Sequence, residues 1–554
     1  MASTSDVSAE DTGNAGGAWL SRARIVAGPG FNRWLVPPAA LAIHLCIGMA
    51  YGFSVFWLPL SKAIGLTEPV PCPAGMSAVA QLFASDCDWQ VKMLGWMYTL
   101  FFVLLGCSAA LWGGWLERAG PRKAGVVAAV CWGGGLLISA LGVYLHQLWL
   151  MWLGSGVIGG IGLGLGYISP VSTLIKWFPD RRGMATGMAI MGFGGGAMIG
   201  SPLADLLMKH FAGPAAVGVW QTFVVLGLIY FVAMMCGALG YRVPPPGWQP
   251  AGWTAPAAQD RGMITGAQVH LDQAWRTPQF WLIWAVLCLN VTAGIGVIGM
   301  ASPMLQEVFG GRLIGVDAGF KALDEAQLKD LATIAAAFTG LLSLFNIAGR
   351  FFWASLSDRI GRKATYVVFF VLGMALYAAA PHLGATGSVA LFVLGFGVIL
   401  SMYGGGFATV PAYLADMFGT RMVGAIHGRL LTAWAAAGIF GPLIVNYLRD
   451  WQLAQGLEPA RVYDRTMYIL AGLLLVGLVC NLLIRPVDPK YRMSEAQLRE
   501  TEPPPAPAAS AAAHAAAAGN QGLLVAVCWL AVGVPMAWGV WVTLRKAVVL
   551  FNGA

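Results

Sequence analysis

Apolar residues fill thirteen long runs, near 35–60, 92–115, 124–145, 148–172, 184–208, 217–240, 279–304, 330–355, 364–383, 387–413, 422–447, 466–485 and 522–544. A helix rises about 1.5 Å per residue, so each run can cross a hydrocarbon core about 30 Å thick. The pattern predicts an all-α polytopic membrane protein. The first twelve runs divide into two groups of six, giving an expected organisation of polar tail (1–33), six-helix bundle (34–240), linker (241–277), second six-helix bundle (278–486), Pro/Ala-rich linker (487–520) and an accessory spanning helix (521–554). The first linker opens Pro244-Pro-Pro-Gly-Trp-Gln-Pro, which forbids a regular element, and the second contains Glu502-Pro-Pro-Pro-Ala-Pro and reads as disordered.

The two groups repeat each other. Gly113-Gly-Trp-Leu-Glu117-Arg118-Ala-Gly120-Pro-Arg122-Lys123 follows the second run, and Ala354-Ser-Leu-Ser-Asp358-Arg359-Ile-Gly361-Arg362-Lys363 follows the eighth. The acidic residues are 358 − 117 = 241 apart, and Gly187 and Gly428 share that offset. A repeat of this length implies two parallel pseudo-symmetric halves. Glycine tightens each turn, while the acid and bases can clamp neighbouring helix ends.

Composition agrees with a membrane protein: 58% of residues are hydrophobic, 10% are charged and the mean hydropathy is +0.69. A soluble chain carries about 25% charged residues. The net charge of +8 is spread through the loops and forms no basic face, so no nucleic-acid partner is expected. With the N-terminus inside, the cytoplasmic segments through residue 499 hold 20 Lys and Arg and the external ones nine. That asymmetry predicts a cytoplasmic N-terminus; the expected location is a bacterial-type plasma (inner) membrane. Helix 13, if it crosses, leaves Arg545 and Lys546 outside, against the trend.

Seven of the nine cysteines lie in apolar runs, and no Cys/His spacing suggests a metal. Cys72 and Cys87 share the first external loop and are a candidate disulfide. No paired acid/base group or HExxH lies at membrane depth, so neither an enzyme nor a cofactor is expected.

The residue that asks for an explanation is Arg350, eight residues before the turn at Asp358 and about 12 Å inside the hydrocarbon. Placing arginine there costs about 2.5–3.5 kcal/mol even on the lenient insertion scale. No Asp or Glu lies deep in the twelve core runs, since Asp205, Glu307 and Asp416 sit near ends. A planar guanidinium without a resident acid suits a visiting carboxylate, held through two charge-assisted hydrogen bonds. Asn346, four residues earlier, shares its helix face and can add a donor or bond to a neighbouring helix.

The Gly-x-x-x-Asp/Glu-Arg-x-Gly-x-Arg-Lys turn resembles the signature of the major facilitator superfamily, with Glu117 for Asp and Ala354 for Gly as departures. Five further stretches together resemble the oxalate/formate antiporter family within it: Gly48–Leu60, Tyr167…Lys176–Gly183, Asn346…Gly349-Arg350, Tyr403–Ala412 and His427–Trp434. The resemblance covers roughly residues 34–486. It implies an alternating-access carrier of small carboxylates, working as a monomer by anion exchange or proton symport. In oxalate-specific members a helix-8 arginine and a helix-11 lysine bind the two carboxylates within an aromatic cage. Arg350 matches the arginine, whereas the lysine position falls at Trp434. One central cation fits a monocarboxylate better than oxalate. Tyr51, Tyr167, Tyr403 and Phe407 fall in the cavity-lining helices of the superfamily, and Gly404-Gly-Gly406 with Pro411 suggests a bend in helix 10. His44 and His427 are candidates for a coupling proton, with packing as the commoner role of such a histidine. Arg429 is expected to snorkel or clamp a gate rather than bind substrate. The thirteenth run looks like the single-helix companion of some family members, fused here and packed away from the substrate.

Overall fold

In the computed structural model, residue 20 and residues 22–28, 30–66, 69–73, 75–214, 216–253, 263–500 and 521–550 are described. Thirteen helices are long and apolar enough to span a bilayer: α1 (Arg33–Leu60), α2 (Met93–Ala119), α3 (Pro121–Tyr144), α4 (Leu148–Trp177), α5 (Arg182–Phe211), α6 (Val219–Gly240), α7 (Pro278–Ile314), α8 (Glu325–Ile360), α9 (Arg362–Ala385), α10 (Val389–Phe418), α11 (Val423–Ala454), α12 (Pro459–Leu483) and α13 (Gln521–Ala547). Helices α1–α6 form one bundle and α7–α12 the other, and they meet along two seams, α5 on α8 and α2 on α11.

The seams obey the sequence repeat. A Cβ on Gly187 would lie 2.9 Å from the carbonyl oxygen of Arg350, and one on Gly428 would lie 2.2 Å from that of Ala109. Both pairs keep the offset, since 428 − 187 = 241 and 350 − 109 = 241. Small residues let the backbones touch, as helix association in lipid requires. Ala109 is therefore the pseudo-symmetric counterpart of Arg350, and the buried cation belongs to one half only.

One face of the molecule, here called the basic face, carries the N-terminal segment, both repeated turns and the linker. Gly120 and Gly361 turn the chain at φ +89° and +87°, a region that L side chains rarely adopt. Each turn's acid then caps a helix of the other half. Glu117 accepts from the backbone N–H of Gly424 at 3.0 Å, and Asp358 from those of Gly183 and Met184 at 2.8 and 2.9 Å. A carboxylate there meets the positive end of a helix dipole. Lys176 joins Glu117 at 2.6 Å, while Arg362 joins both Asp358 at 2.7 Å and Asp416 at 3.0 Å, with Arg182 completing the cluster on Asp416 at 2.9 Å. Arg118 and Arg359 lie exposed on the outer side of their turns and take no part in these clamps.

Glycines 404–406 lie inside α10, which runs as α-helix from Val389 to Phe418 with Pro411 within it. They give room: a Cβ on Gly404 would sit 2.3 Å from the Asn346 carbonyl oxygen, and one on Gly405 2.7 Å from the Trp353 Cβ. Helix α1 tightens to 3-10 geometry over Gly48–Phe56, and α4 widens to π geometry over Trp152–Gly159. Two expectations need correction. The linker is not merely a spacer. Val243 pairs with Ile25 and Ala27, the chain makes a helical turn at Leu271–Ala274, and Thr265 and Val269 bond to the carbonyls of Asp416 and Phe418 at 2.8 and 2.9 Å. The segment after α12 is ordered as far as residue 500, where Met493 donates to the Gln268 carbonyl at 2.8 Å and a short helix forms at Glu495–Glu500. The Pro/Ala-rich stretch 501–520, part of the linker at 254–262 and residues 1–19 lie outside the described residues.

Helix α13 begins on the basic face, where the Gln521 side chain accepts from Asn32 N–H at 2.9 Å and Trp529 donates to the Trp34 carbonyl at 3.1 Å. It crosses beside α1, α5 and α8, with Gly539 against Met198 and Thr543 against Gly340, so Arg545 and Lys546 emerge on the opposite face. On that face Cys72 and Cys87 are joined in a disulfide. The neighbouring Asp88 carboxylate gathers the N–H groups of Ile64, Gly65 and Val70 at 2.7, 3.0 and 2.9 Å.

Candidate binding site between the two bundles

Arg350 lies in the half of α8 nearer the basic face, at the α5 seam, and is fully buried. Its Nε donates to Asn346 Oδ1 at 2.9 Å and its Nη1 to the Ile190 carbonyl of α5 at 3.0 Å. Its Nη2 has no hydrogen-bond partner among the described residues. The three acids near helix ends are engaged elsewhere: Asp205 with Lys209, Asp416 with Arg182 and Arg362, and Glu307 with Arg449. Among the described residues the guanidinium therefore has no carboxylate partner. The Asn346 side-chain oxygen orients the arginine, and Gly404 leaves space for that amide.

The predicted aromatics close around this group from both halves. Phe193 (α5) and Phe407 (α10) flank the guanidinium, with ring centroids 5.7 and 5.5 Å from Cζ. Trp434 is the hub of the cage. Its ring lies 4.5 Å from Phe407, 5.3 Å from both Tyr167 and Phe193, and 5.2 Å from Phe102 of α2. Tyr51 of α1 and Tyr403 of α10 share a hydroxyl–hydroxyl contact of 3.2 Å across the cleft, and Tyr51 also interacts with Arg350. The short Gly48–Phe56 turn of α1 carries Tyr51 into this position.

Several buried polar atoms here lack partners among the described residues: Arg350 Nη2, Tyr167 Oη, Trp434 Nε1 and both ring nitrogens of His427. A buried donor without an acceptor costs about 1–3 kcal/mol, more when charged. His427 lies 5.9 Å from the Tyr167 ring, so it borders the cage. His44 differs, for its ring nitrogens face the carbonyls of Ala189 and Tyr167. Arg429 leaves the cage and joins Asp272 at 2.9 Å, docking the linker onto α11. Helix α13 meets α5 and α8 at Met198, Ile199 and Gly340.

Phe193 and Phe102 were not anticipated. Phe193 is the single large side chain in Gly192-Phe-Gly-Gly-Gly196, and that isolation among glycines was a usable signal. Nothing in the sequence around Phe102 sets it apart from other lipid-facing or packing aromatics.

This chain belongs to the Major Facilitator Superfamily, whose sequence model matches residues 74–442 and 326–550. It is a multi-pass membrane protein of transporter type, not an enzyme. Its likeness runs to the oxalate:formate antiporter of Oxalobacter formigenes, 26% identical over 416 residues covering 74% of this chain and 83% of that one. The apicoplast pyruvate carrier 1 of Toxoplasma gondii is 26% identical over 460 residues, 72% of this chain and 80% of its own. Among solved structures, the superfamily transporter FucP in its outward conformation superposes with a TM-score of 0.53 at 13% identity, over 81% of this chain and 99% of that one.

Proposed function

We propose that this protein is a secondary carrier of small monocarboxylates that works by alternating access across a bacterial-type plasma membrane. The observation that carries the reading is the fully buried Arg350, two of whose nitrogens are held by Asn346 and Ile190 while the third has no hydrogen-bond partner among the described residues, the guanidinium lying in an aromatic cage beside Tyr51. A carboxylate satisfies Nη2 and neutralises the cation, and the Tyr167 hydroxyl and the Trp434 indole N–H are further donors beside it. Trp434 fills with a ring the place that a second cation would need for a dicarboxylate, which favours one carboxylate of formate, pyruvate or lactate size. The pyruvate carrier among its relatives supports the same substrate class.

The basic face is taken as cytoplasmic, which leaves the N-terminus inside. The Glu117 and Asp358 caps then form the cytoplasmic gate, holding both seams shut on that side. Opening to the cytoplasm requires both caps to release, and closing on the other side completes the cycle. The carrier functions as a monomer, each half supplying walls of one central site.

A thermal-shift panel of C1–C4 carboxylates on the purified protein tests the reading. Monocarboxylates are expected to stabilise the wild type and not Arg350→Ala. Stabilisation of the Ala variant by the same acids overturns the assignment.

A further inference from the structure

We infer that His44 is a coupling-proton site, so that a proton enters with each monocarboxylate. The inference rests on the reading of Arg350 as the carboxylate anchor.

The seat of the ring is the first argument. His44 is fully buried on α1, with Nδ1 against the Ala189 carbonyl of α5 and Nε2 3.2 Å from the Tyr167 carbonyl of α4. A carbonyl oxygen only accepts. A neutral imidazole has one N–H, so one of these contacts sets lone pair against lone pair, whereas an imidazolium donates to both. The position is built for the protonated ring. Gly192 allows it, since a Cβ there would lie 3.0 Å from His44 Cβ. His427 has no such seat, as neither of its nitrogens meets a partner.

The second argument is charge. The Ile190 carbonyl that holds Arg350 directly follows the Ala189 carbonyl that holds His44, and Arg350 acts electrostatically on the ring. The other titratable groups facing it are Tyr167 of α4 and His427 of α11. From the helices packed on α1, α5 brings charge only at its ends (Arg182, Asp205, Lys209 and His210), as do α4 (Lys176), α3 (Arg122 and Lys123) and α13 (Arg545 and Lys546). Helix α6 contributes Tyr230 and Cys236, α3 Cys131 with Tyr144 at its end, α13 Cys528, α2 Tyr98 and Cys107 with Glu117 and Arg118 at its end, and α1 itself Cys46 and Tyr51 with Arg33 at its end. Among the described residues no carboxylate offsets a second positive charge in the centre. With the site empty, an imidazolium is opposed first by its burial away from water and then by repulsion from Arg350. A monocarboxylate on Arg350 cancels that charge, and the proton then binds a ring whose two acceptors are in place. Anion and proton raise each other's affinity by linkage. The central charge is the same in both forms: arginine alone when empty, and arginine, carboxylate and imidazolium when loaded. Return of the empty carrier and passage of the loaded one therefore move equal charge, as electroneutral symport requires.

Calorimetry of pyruvate binding to the full-length protein near pH 7, in two buffers of different ionisation enthalpy, reads the proton directly. Uptake approaching about one proton per anion is expected for the wild type and its loss in His44→Gln. Binding without proton uptake in the wild type overturns the coupling and leaves the carboxylate site standing. Binding of no carboxylate at all overturns both. Uptake kept in H44Q but lost in His427→Gln moves the proton to the other ring and also overturns the inference. If H44Q does not fold, His44→Asn takes its place: proton uptake lost in the folded variant supports the inference, and uptake kept there overturns it.

Discussion

Replacing Arg350 with methionine separates a binding residue from a structural one. The side chain is fully buried, with hydrogen bonds of 2.9 Å to Asn346 and 3.0 Å to the Ile190 carbonyl. Hydrogen bonds to a charged group contribute about 1.5–3 kcal/mol each, so the two together give roughly 3–6 kcal/mol. Against this stands the desolvation of an unpaired cation, an effective penalty of several kcal/mol. The two terms offset, and methionine fills a similar volume without either. The empty Arg350→Met protein is therefore expected to be as stable as the wild type within about 1–2 kcal/mol, or more stable. The ligand response should differ sharply. A saturating monocarboxylate at 100 times its Kd stabilises the wild type by about 2.7 kcal/mol, and this increment should vanish in R350M. Denaturation of the detergent-solubilised proteins, with and without pyruvate, measures both quantities. A ligand-free loss above about 3 kcal/mol would show that the guanidinium holds the bundles together, and the argument for a visiting anion would fail.

Two further substitutions address selectivity and gating. Trp434→Lys places a second cation beyond Phe407 from Arg350, so competition assays should show preference moving from monocarboxylates to dicarboxylates such as oxalate; an unaltered ranking refutes that placement. Asp358→Asn removes the charge from the cap on Gly183 and Met184 and from the pair with Arg362, weakening the closed basic face by about 1–2 kcal/mol. Cysteine accessibility on that face should rise roughly five- to thirtyfold, and no change would mean that the cap does not hold the gate.

Much of this was legible in order along the chain, because a bilayer imposes a local rule: every spanning segment must be apolar and long enough to bond its own backbone. Thirteen spans, the duplicated halves and the isolation of Arg350 from any acid follow from that rule and from residue spacing. Partnership across the seams does not, since it depends on which residues 160 or more positions apart come together, as Arg350 and Ile190 do. Only the packed bundles set the Asn346 side-chain oxygen against the guanidinium. Packing also made glycines 404–406 close-approach sites, and it drew Phe193 and Phe102 into the cage. It alone distinguished His44, set between two carbonyls, from His427, which has neither. Sequence dictated what must be buried in lipid; tertiary structure decided which buried polar atoms found partners and which were left waiting for one.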